Sequence, residues 1–330
     1  MRYVIYGSGA IGSIVGARLQ AAGQQVVFIA RGRTLDALRQ EGLTLRTADD
    51  RRTFEVECVA TPAEADISVN DVVILAMKTQ DTVGALGELA ACASAQVPVF
   101  CAQNGVANER LALRYFSNVY GMFVYIFALH LEPGVVQCYT SPSFGVLDVG
   151  RFPGGSDEIG RRTMAHLSAA GFDTLCRSDI MRWKHGKLLA NLANVLHAAC
   201  GPSAAFNDIL DQARSEGEAC LRAAGIAYAG ADERARRIAA IQPLRTIDGA
   251  PFPGGSSWQS LARGTGSIET DFLNGEIALL GRLHGVATPV NEMLQVLSRT
   301  LLQERQRPAS LSPDHVRSLL PQGVQVAAAD

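Results

Sequence analysis

The chain has 330 residues, 48 % of them hydrophobic and 19 % charged, enough for two folded domains and far from a disordered composition. A net charge of −2 provides no basic excess for a polyanion, which argues against nucleic acid as a partner. No apolar run approaches the roughly 18–20 residues of a membrane helix, so no membrane role is expected. The sequence opens on the strand-like run RYVIY, so no leader is expected. A helix is expected over Ile11–Ala22, ended by Gly23, then a strand at VVFIA and a helix near Thr34–Glu41. LTLR and TFEVECV read as a hairpin. The short continuous apolar runs DVVILAM and VPVFCA have the pattern of strands buried on both faces. Helices are expected at Thr79–Ala91 and near Ala107–Tyr115.

The stretch from Val119 to Val149 is aromatic and β-prone, with a turn at Pro133–Gly134, and a Pro/Gly cluster follows at Phe152–Ser156. One further helix and the strand-like FDTLCR close a first domain. Strand, helix and strand in this rhythm predict a doubly wound parallel sheet. After Ser178 the pattern turns helical, beginning with a helix of about six turns over DIMRWKHGKLLANLANVLHAA, with Ser178 or Asp179 as its N-cap. It stays helical to about residue 305, with breaks at Gly201–Pro202 and Asp248–Ser257. The fold class is therefore α/β, an N-terminal Rossmann-type doubly wound domain at 1–178 plus an all-α C-terminal domain at 179–330. The tail PQGVQVAAAD is expected to fray. Seven scattered cysteines without a CxxC pair read as buried thiols of a reducing compartment, which points to the cytoplasm. No His/Cys/Asp cluster has metal-ligand spacing, so no metal is expected.

Gly7, Gly9 and Gly12 form G-x-G-x-x-G directly after the first strand and at the start of a helix. The first glycine permits the tight turn, the second lets backbone approach a pyrophosphate, and the third allows helix and strand to pack closely. The loop Gly7, Ser8, Gly9, Ala10, Ile11, Gly12 is thus a candidate dinucleotide cradle at a helix N-terminus. At the end of the second strand, where NAD enzymes usually place an acid for the ribose 2′-hydroxyl, stand Ala30 and Arg31, with Arg33 close behind and no carboxylate. A guanidinium suits a 2′-phosphate, so NADPH/NADP is the expected cofactor. Two further strands end in polar residues, Lys78 after one and Gln103–Asn104 after the other, on the edge where ligands of such sheets collect.

In the second domain Lys187 and Asn191 lie four apart on one helical face, with Asn194 three further on and apolar residues around them. A Lys–Asn pair bridging two helices would give the same pattern. Lys184 competes with Lys187 from farther round the helix. Glu269, in SIETDFLNGEI, is either a first-turn dipole partner or a functional acid.

These residues resemble one family over nearly the whole chain, the ketopantoate reductases (2-dehydropantoate 2-reductases). The resemblance rests on GSGAIG, AMKTQ, QNG, WKHGKLLANLAN, SSWQ and SIETDFLNGEIALLGRLHGVATPVN. It implies a Rossmann-type domain, an all-helical domain, an active site in the cleft between them, and NADPH-dependent reduction of a 2-oxo acid to a 2-hydroxy acid. In the typical member this is ketopantoate to pantoate, a step of pantothenate biosynthesis. It further implies that Arg31 takes the 2′-phosphate, that Lys78 and Asn104 serve cofactor and substrate at the strand ends, and that Lys187 is the catalytic lysine with Asn191 beside it. Ser257 and Glu269 would line the substrate site, Glu269 also supporting catalysis. Asn194 is the remaining substrate candidate, the family often having its second asparagine four residues after the first, where this chain has Val195. The bulky run YGMFVYIFALHLEPG and Trp258 depart from the family pattern and leave open a different 2-oxo acid. A non-catalytic NADP-binding sensor is the reading from another class. Helical second domains of this kind often supply dimer surfaces, so a homodimer is the expected assembly.

Overall fold

The computed structural model describes residues 1–241 and 243–321; residues 322–330, most of the tail expected to fray, lie outside the described residues. The first strands form where continuous apolar runs were found. β1 (Arg2–Tyr6), β2 (Gln25–Ile29), β5 (Glu57–Val59), β6 (Val72–Leu75), β7 (Val99–Cys101), β8 (Val119–Tyr125) and β11 (Val146–Arg151) make a seven-stranded sheet in the order β11-β8-β7-β6-β1-β2-β5. All neighbours are parallel except β11, which pairs antiparallel with β8. The chain builds outward from β1 in one direction and then in the other, so the order reverses between β1 and β6, the switch point where such sheets bind ligands.

Residue alternation sends side chains to two hydrophobic clusters. Tyr3, Ile5, Phe28, Ile74 and Phe100 face one side, with Leu19 of α1 (Ala10–Ala21) and Leu167 of a helix at Glu158–Ala169. Val4, Val27, Val73, Val99 and Val119 face the other, with Leu86 and Leu89 of the helix Thr82–Ala90. A helical layer on each face explains why these strands lack the polar–apolar alternation of a half-exposed sheet.

LTLR and the start of TFEVECV do form a hairpin, β3 (Leu43–Arg46) with β4 (Arg51–Phe54). The second run then splits. Its last part, β5, leaves the hairpin and joins the main sheet beside β2. β9 (Ala128–Leu129) and β10 (Val135–Cys138) complete a four-stranded sheet, β4-β3-β10-β9. FDTLCR forms only isolated bridges from Asp173 and Cys176 to β11. The remaining helices of the first half are α2 (Gly32–Glu41), α3 (Thr82–Ala90), α4 (Asn108–Ala112) and α5 (Glu158–Ala169), α3 being preceded by a 3₁₀ turn at Thr79–Asp81.

The six-turn helix expected after Ser178 is two helices, α6 (Ile180–Asn191) and α7 (Asn194–Cys200), with a turn at Leu192–Ala193. After them come α8 (Asn207–Ala223), α9 (Ala231–Ile238), α10 (Ser256–Arg263), α11 (Asn274–His284), α12 (Pro289–Gln303) and α13 (Pro313–Ser318). The chain divides into two units: 1–184 with 231–252, and 185–230 with 253–330. Residues 231–252 thus return to the first unit, which a single cut in the sequence does not describe. They are tied there by Arg237, whose guanidinium reaches the fully buried Asp148 of β11 at 2.6 Å and Asp173 at 2.8 Å. Phe252 adds edge-on contacts with Phe127 and Tyr139. The second unit is all helical, cored by Leu196, Phe206, Ile209, Leu294, Leu297 and Leu301. All seven cysteines are free thiols, but only Cys101, Cys138 and Cys220 are buried as expected; Cys58, Cys176 and Cys200 are half-buried and Cys92 is exposed. Among the described residues no helix is long and apolar enough to cross a membrane.

Candidate active site

In the first unit the glycine loop sits where β1 hands over to α1. Gly7 has φ +107°, and a Cβ there would stand 2.6 Å from the Met77 amide nitrogen at the end of β6. A Cβ at Gly12 would meet the Gly7 carbonyl at 2.2 Å, so that position fixes how closely helix follows strand. A Cβ at Gly9, by contrast, would meet nothing within 4 Å, and Gly9, the residue before α1, caps the helix with no side chain. Space in front of an uncapped helix start suits a pyrophosphate, which would take the first-turn amides and the positive end of the helix. Ser8 is buried and its hydroxyl donates to the Ile29 carbonyl, so it helps hold the loop to β2. Ala10 and Ile11 lie in the first turn of α1.

Arg31 stands at the end of β2, as its sequence position indicates, in extended backbone that caps α2. It is not alone. Its guanidinium pairs with the Glu88 carboxylate of α3 and lies 3.3 Å from the Tyr6 hydroxyl, which itself donates to Glu88 at 2.6 Å. The carboxylate missing from β2 is thus supplied by another element. Sequence reasoning missed it because Glu88 is 57 residues away on a helix surface and carries no local signal.

Lys78 and Asn104 lie half-buried just beyond β6 and β7. A buried network joins their loops. The Asn108 amide donates to the Thr79 hydroxyl at 3.2 Å and to the Asn104 carbonyl at 3.1 Å; the Thr82 hydroxyl donates to Asn108 at 2.8 Å, and the Gln103 amide to Thr82 at 2.7 Å. Gln103 is therefore a loop fastener, linked through the Thr82 hydroxyl to Asn108, four residues past Asn104. Lys184 belongs to the same support. Its ammonium donates to the carbonyls of Cys101 and Gln103 at 3.3 and 3.1 Å and pairs with the fully buried Glu109. Those bonds give it a structural role in the first unit.

The remaining candidates lie in the second unit. Lys187 is half-buried on α6, Asn191 ends that helix, and Asn194 starts α7. Ser257 is 2 % exposed in the first turn of α10, which packs on α7. Glu269, also buried, opens the 3₁₀ turn Glu269–Phe272. Among the buried side-chain atoms without a hydrogen-bond partner, which also include atoms of Gln20, Gln80, Gln103 and Thr163, two belong to these candidates: the Asn191 Nδ2 and the Ser257 Oγ. A buried polar atom left without a partner costs about 1–3 kcal/mol, a cost that a ligand supplying a hydrogen bond would remove.

A second buried network explains the break between α6 and α7. Asn274 donates to the Leu192 carbonyl in the turn at 3.3 Å and to Asn291 at 3.0 Å. Asn291 in turn donates to the Ala213 carbonyl and to Glu216, whose carboxylate also accepts the Val290 and Asn291 amides at the start of α12. The asparagines of FLNGE and TPVN are thus supports that fix the end of the Lys187 helix. Much of the bulky aromatic run is core as well. Tyr120 and Phe123 are fully buried in β8, Tyr120 stacking on Phe100 at 4.2 Å, and Trp258 packs on the second unit's core. Only Tyr125, Ile126 and Phe127 remain half-buried in that stretch before Ala128.

The chain matches the family model described as ketopantoate reductase PanE/ApbA over residues 3–154, and that of its C-terminal domain over 179–302. A 2-dehydropantoate 2-reductase of Archaeoglobus fulgidus is 30 % identical over 310 residues, 90 % of this chain and 97 % of that one. The crystal structure of a PanE/ApbA family ketopantoate reductase from Ralstonia eutropha matches with a TM-score of 0.78 at 26 % identity, covering 93 % of this chain and all of that one. D-mandelate dehydrogenase with NADH and anilino(oxo)acetate has the same TM-score at 20 % identity, over 92 % of this chain and 99 % of that one, a likeness of fold. With two family domains matched in order and a relative of this identity along nine-tenths of its length, the chain belongs to the ketopantoate reductase family of oxidoreductases.

Proposed function

We propose that the protein reduces 2-dehydropantoate to pantoate with NADPH. The observation that carries this reading beyond family membership is the pair of buried, unpartnered polar atoms on Asn191 and Ser257, which a small substrate bearing hydroxyl and carboxylate oxygens would complete. Gly7, Gly9 and Gly12 would hold the pyrophosphate, Arg31 the 2′-phosphate, and Lys78 and Asn104 the cofactor and substrate at the strand ends. The nicotinamide, when bound, supplies the hydride.

Lys187 has the central role. A ketone that receives hydride becomes an alkoxide, which needs a positive field as it forms and a proton once formed. The Lys187 ammonium can provide both at one atom. Asn191, one turn along α6, orients that ammonium and the substrate oxygen, and Glu269 holds or replenishes the lysine's charge. Asn194 and Ser257 bind the substrate's remaining oxygens. The free thiols suit a reducing, cytoplasmic setting.

Mixing the purified protein with NADPH and 2-dehydropantoate should bleach the NADPH absorbance with kcat/KM of about 10⁴ M⁻¹s⁻¹ or higher. Lys187→Ala should lower kcat by about 10²- to 10⁴-fold while NADPH still binds. If another 2-oxo acid is reduced and 2-dehydropantoate is inert, the chemistry stands and the substrate changes. NADPH binding with no 2-oxo acid reduced would leave a nucleotide-binding sensor.

A further inference from the structure

The corner of the first unit where β2 ends holds two opposite charges. Arg31 has a side chain 62 % exposed, free to meet a ligand, yet its guanidinium rests on Glu88. Glu88 is itself held in place. Its Oε2 accepts from the hydroxyl of Tyr6, a residue 4 % exposed and anchored in β1 at the centre of the sheet. The Tyr6 bond, with Arg31 beside it, keeps the Glu88 carboxyl below its ordinary range, so it is a carboxylate at neutral pH. Burial together with Glu88 pushes the Tyr6 hydroxyl upward, so it remains a donor.

A 2′-phosphate approaching Arg31 must draw the guanidinium away from Glu88 and then bear a carboxylate close by, a like charge at short range. A 2′-hydroxyl meets the reverse situation, because it can donate to Glu88 and needs no cation. We infer that Glu88 is a specificity-determining residue that weakens the preference for NADPH over NADH by competing for Arg31. The inference deepens the proposed function and rests on its reading of Arg31 as the residue at the adenosine 2′ position. On this view the corner is a compromise, with a cation for the phosphate and an anchored anion that limits its advantage.

The test measures the affinity of the full chain for 2′,5′-ADP and for 5′-ADP by calorimetry, in the wild type, Glu88→Gln and Arg31→Ala. Glutamine keeps the size of the side chain and an oxygen for Tyr6 but loses the charge. Glu88→Gln is expected to tighten 2′,5′-ADP by about five-fold, the scale of one exposed charge pair, without tightening 5′-ADP. The same variant should raise the KM ratio of NADH to NADPH in reduction of a 2-oxo acid. Arg31→Ala should weaken 2′,5′-ADP and leave 5′-ADP nearly unchanged. If Glu88→Gln leaves the ratio of the two affinities unaltered while Arg31→Ala lowers it, the role of Glu88 is refuted and the phosphate site stands. If neither variant moves the ratio, Arg31 is not at the 2′ position, and both readings fall together.

Discussion

Ser257 has a hydroxyl with no internal partner, in a position where a methyl group would be cheaper. That asymmetry yields a prediction with two signs. Ser257→Ala should raise the stability of the ligand-free protein by about 1 kcal/mol, because a stranded donor disappears, and should raise KM for the 2-oxo acid about ten-fold, because the substrate loses a bond. Thermal melts and steady-state kinetics on one preparation check both. A purely structural serine would show a loss of stability and no change in KM. At this scale the placement of the glycine loop between β1 and α1, of Arg31 after β2 and of Lys187 and Asn191 on one helix was legible in the sequence, because backbone conformation and helical spacing are local. Which of two lysines is committed to structure was not. Lys184 is settled by Glu109 and by two carbonyls some 80 residues away.

Elements are joined here through single side chains at their ends. Asp157 caps α5 by accepting the Gly160 amide at 2.9 Å, and its other oxygen takes the Tyr120 hydroxyl of β8 and the Arg151 guanidinium of β11, each at 2.7 Å. Burial alone would raise its carboxyl; the cap amide, the Tyr120 hydroxyl and the Arg151 charge outweigh it and hold the group below the usual carboxylate range. A depressed folded value means stabilisation that is present above the unfolded value and lost as pH falls through the folded one. Asp157→Asn keeps a cap but removes the charge. Its deficit in urea midpoint should therefore be full at neutral pH and should shrink towards zero as the solution is acidified below about pH 4. A deficit that persists unchanged into acid would mean the carboxylate charge contributes nothing. The strands and helices themselves were largely readable from periodicity. The break after Asn191 was not, since LLANLANVL continues the helical pattern without interruption. It depends on Asn274, which meets the Leu192 carbonyl only after the chain has folded.

For the molecule as a whole, the decisive contact is Arg237 with Asp148. Asp148 is fully buried and is met by two guanidiniums, Arg177 from the adjoining segment at 2.5 Å and Arg237 from α9. Arg237→Ala should cost about 3 kcal/mol, moderated by the partner that stays, and should loosen residues 231–252 before the rest of the first unit unfolds. Hydrogen exchange confined to that segment at low urea would bear this out; uniform loss of protection would show it is no separate latch. Composition and helical pattern marked this stretch only as part of a long helical half. Nothing local says that α9 belongs with a sheet more than 80 residues earlier.

That return has a consequence for how the protein is made. The polypeptide passes from one unit to the other at 184–185, 230–231 and 252–253, so the first unit is not a contiguous stretch of the message. When a ribosome has released residue 184, the nucleotide-binding sheet is complete in strands, but Asp148 still lacks Arg237. Arg237 emerges only after a further 46 residues, 185–230, that belong to the other unit. A nascent first unit therefore holds Asp148 on Arg177 alone, and Asp173 without its guanidinium, until α9 arrives.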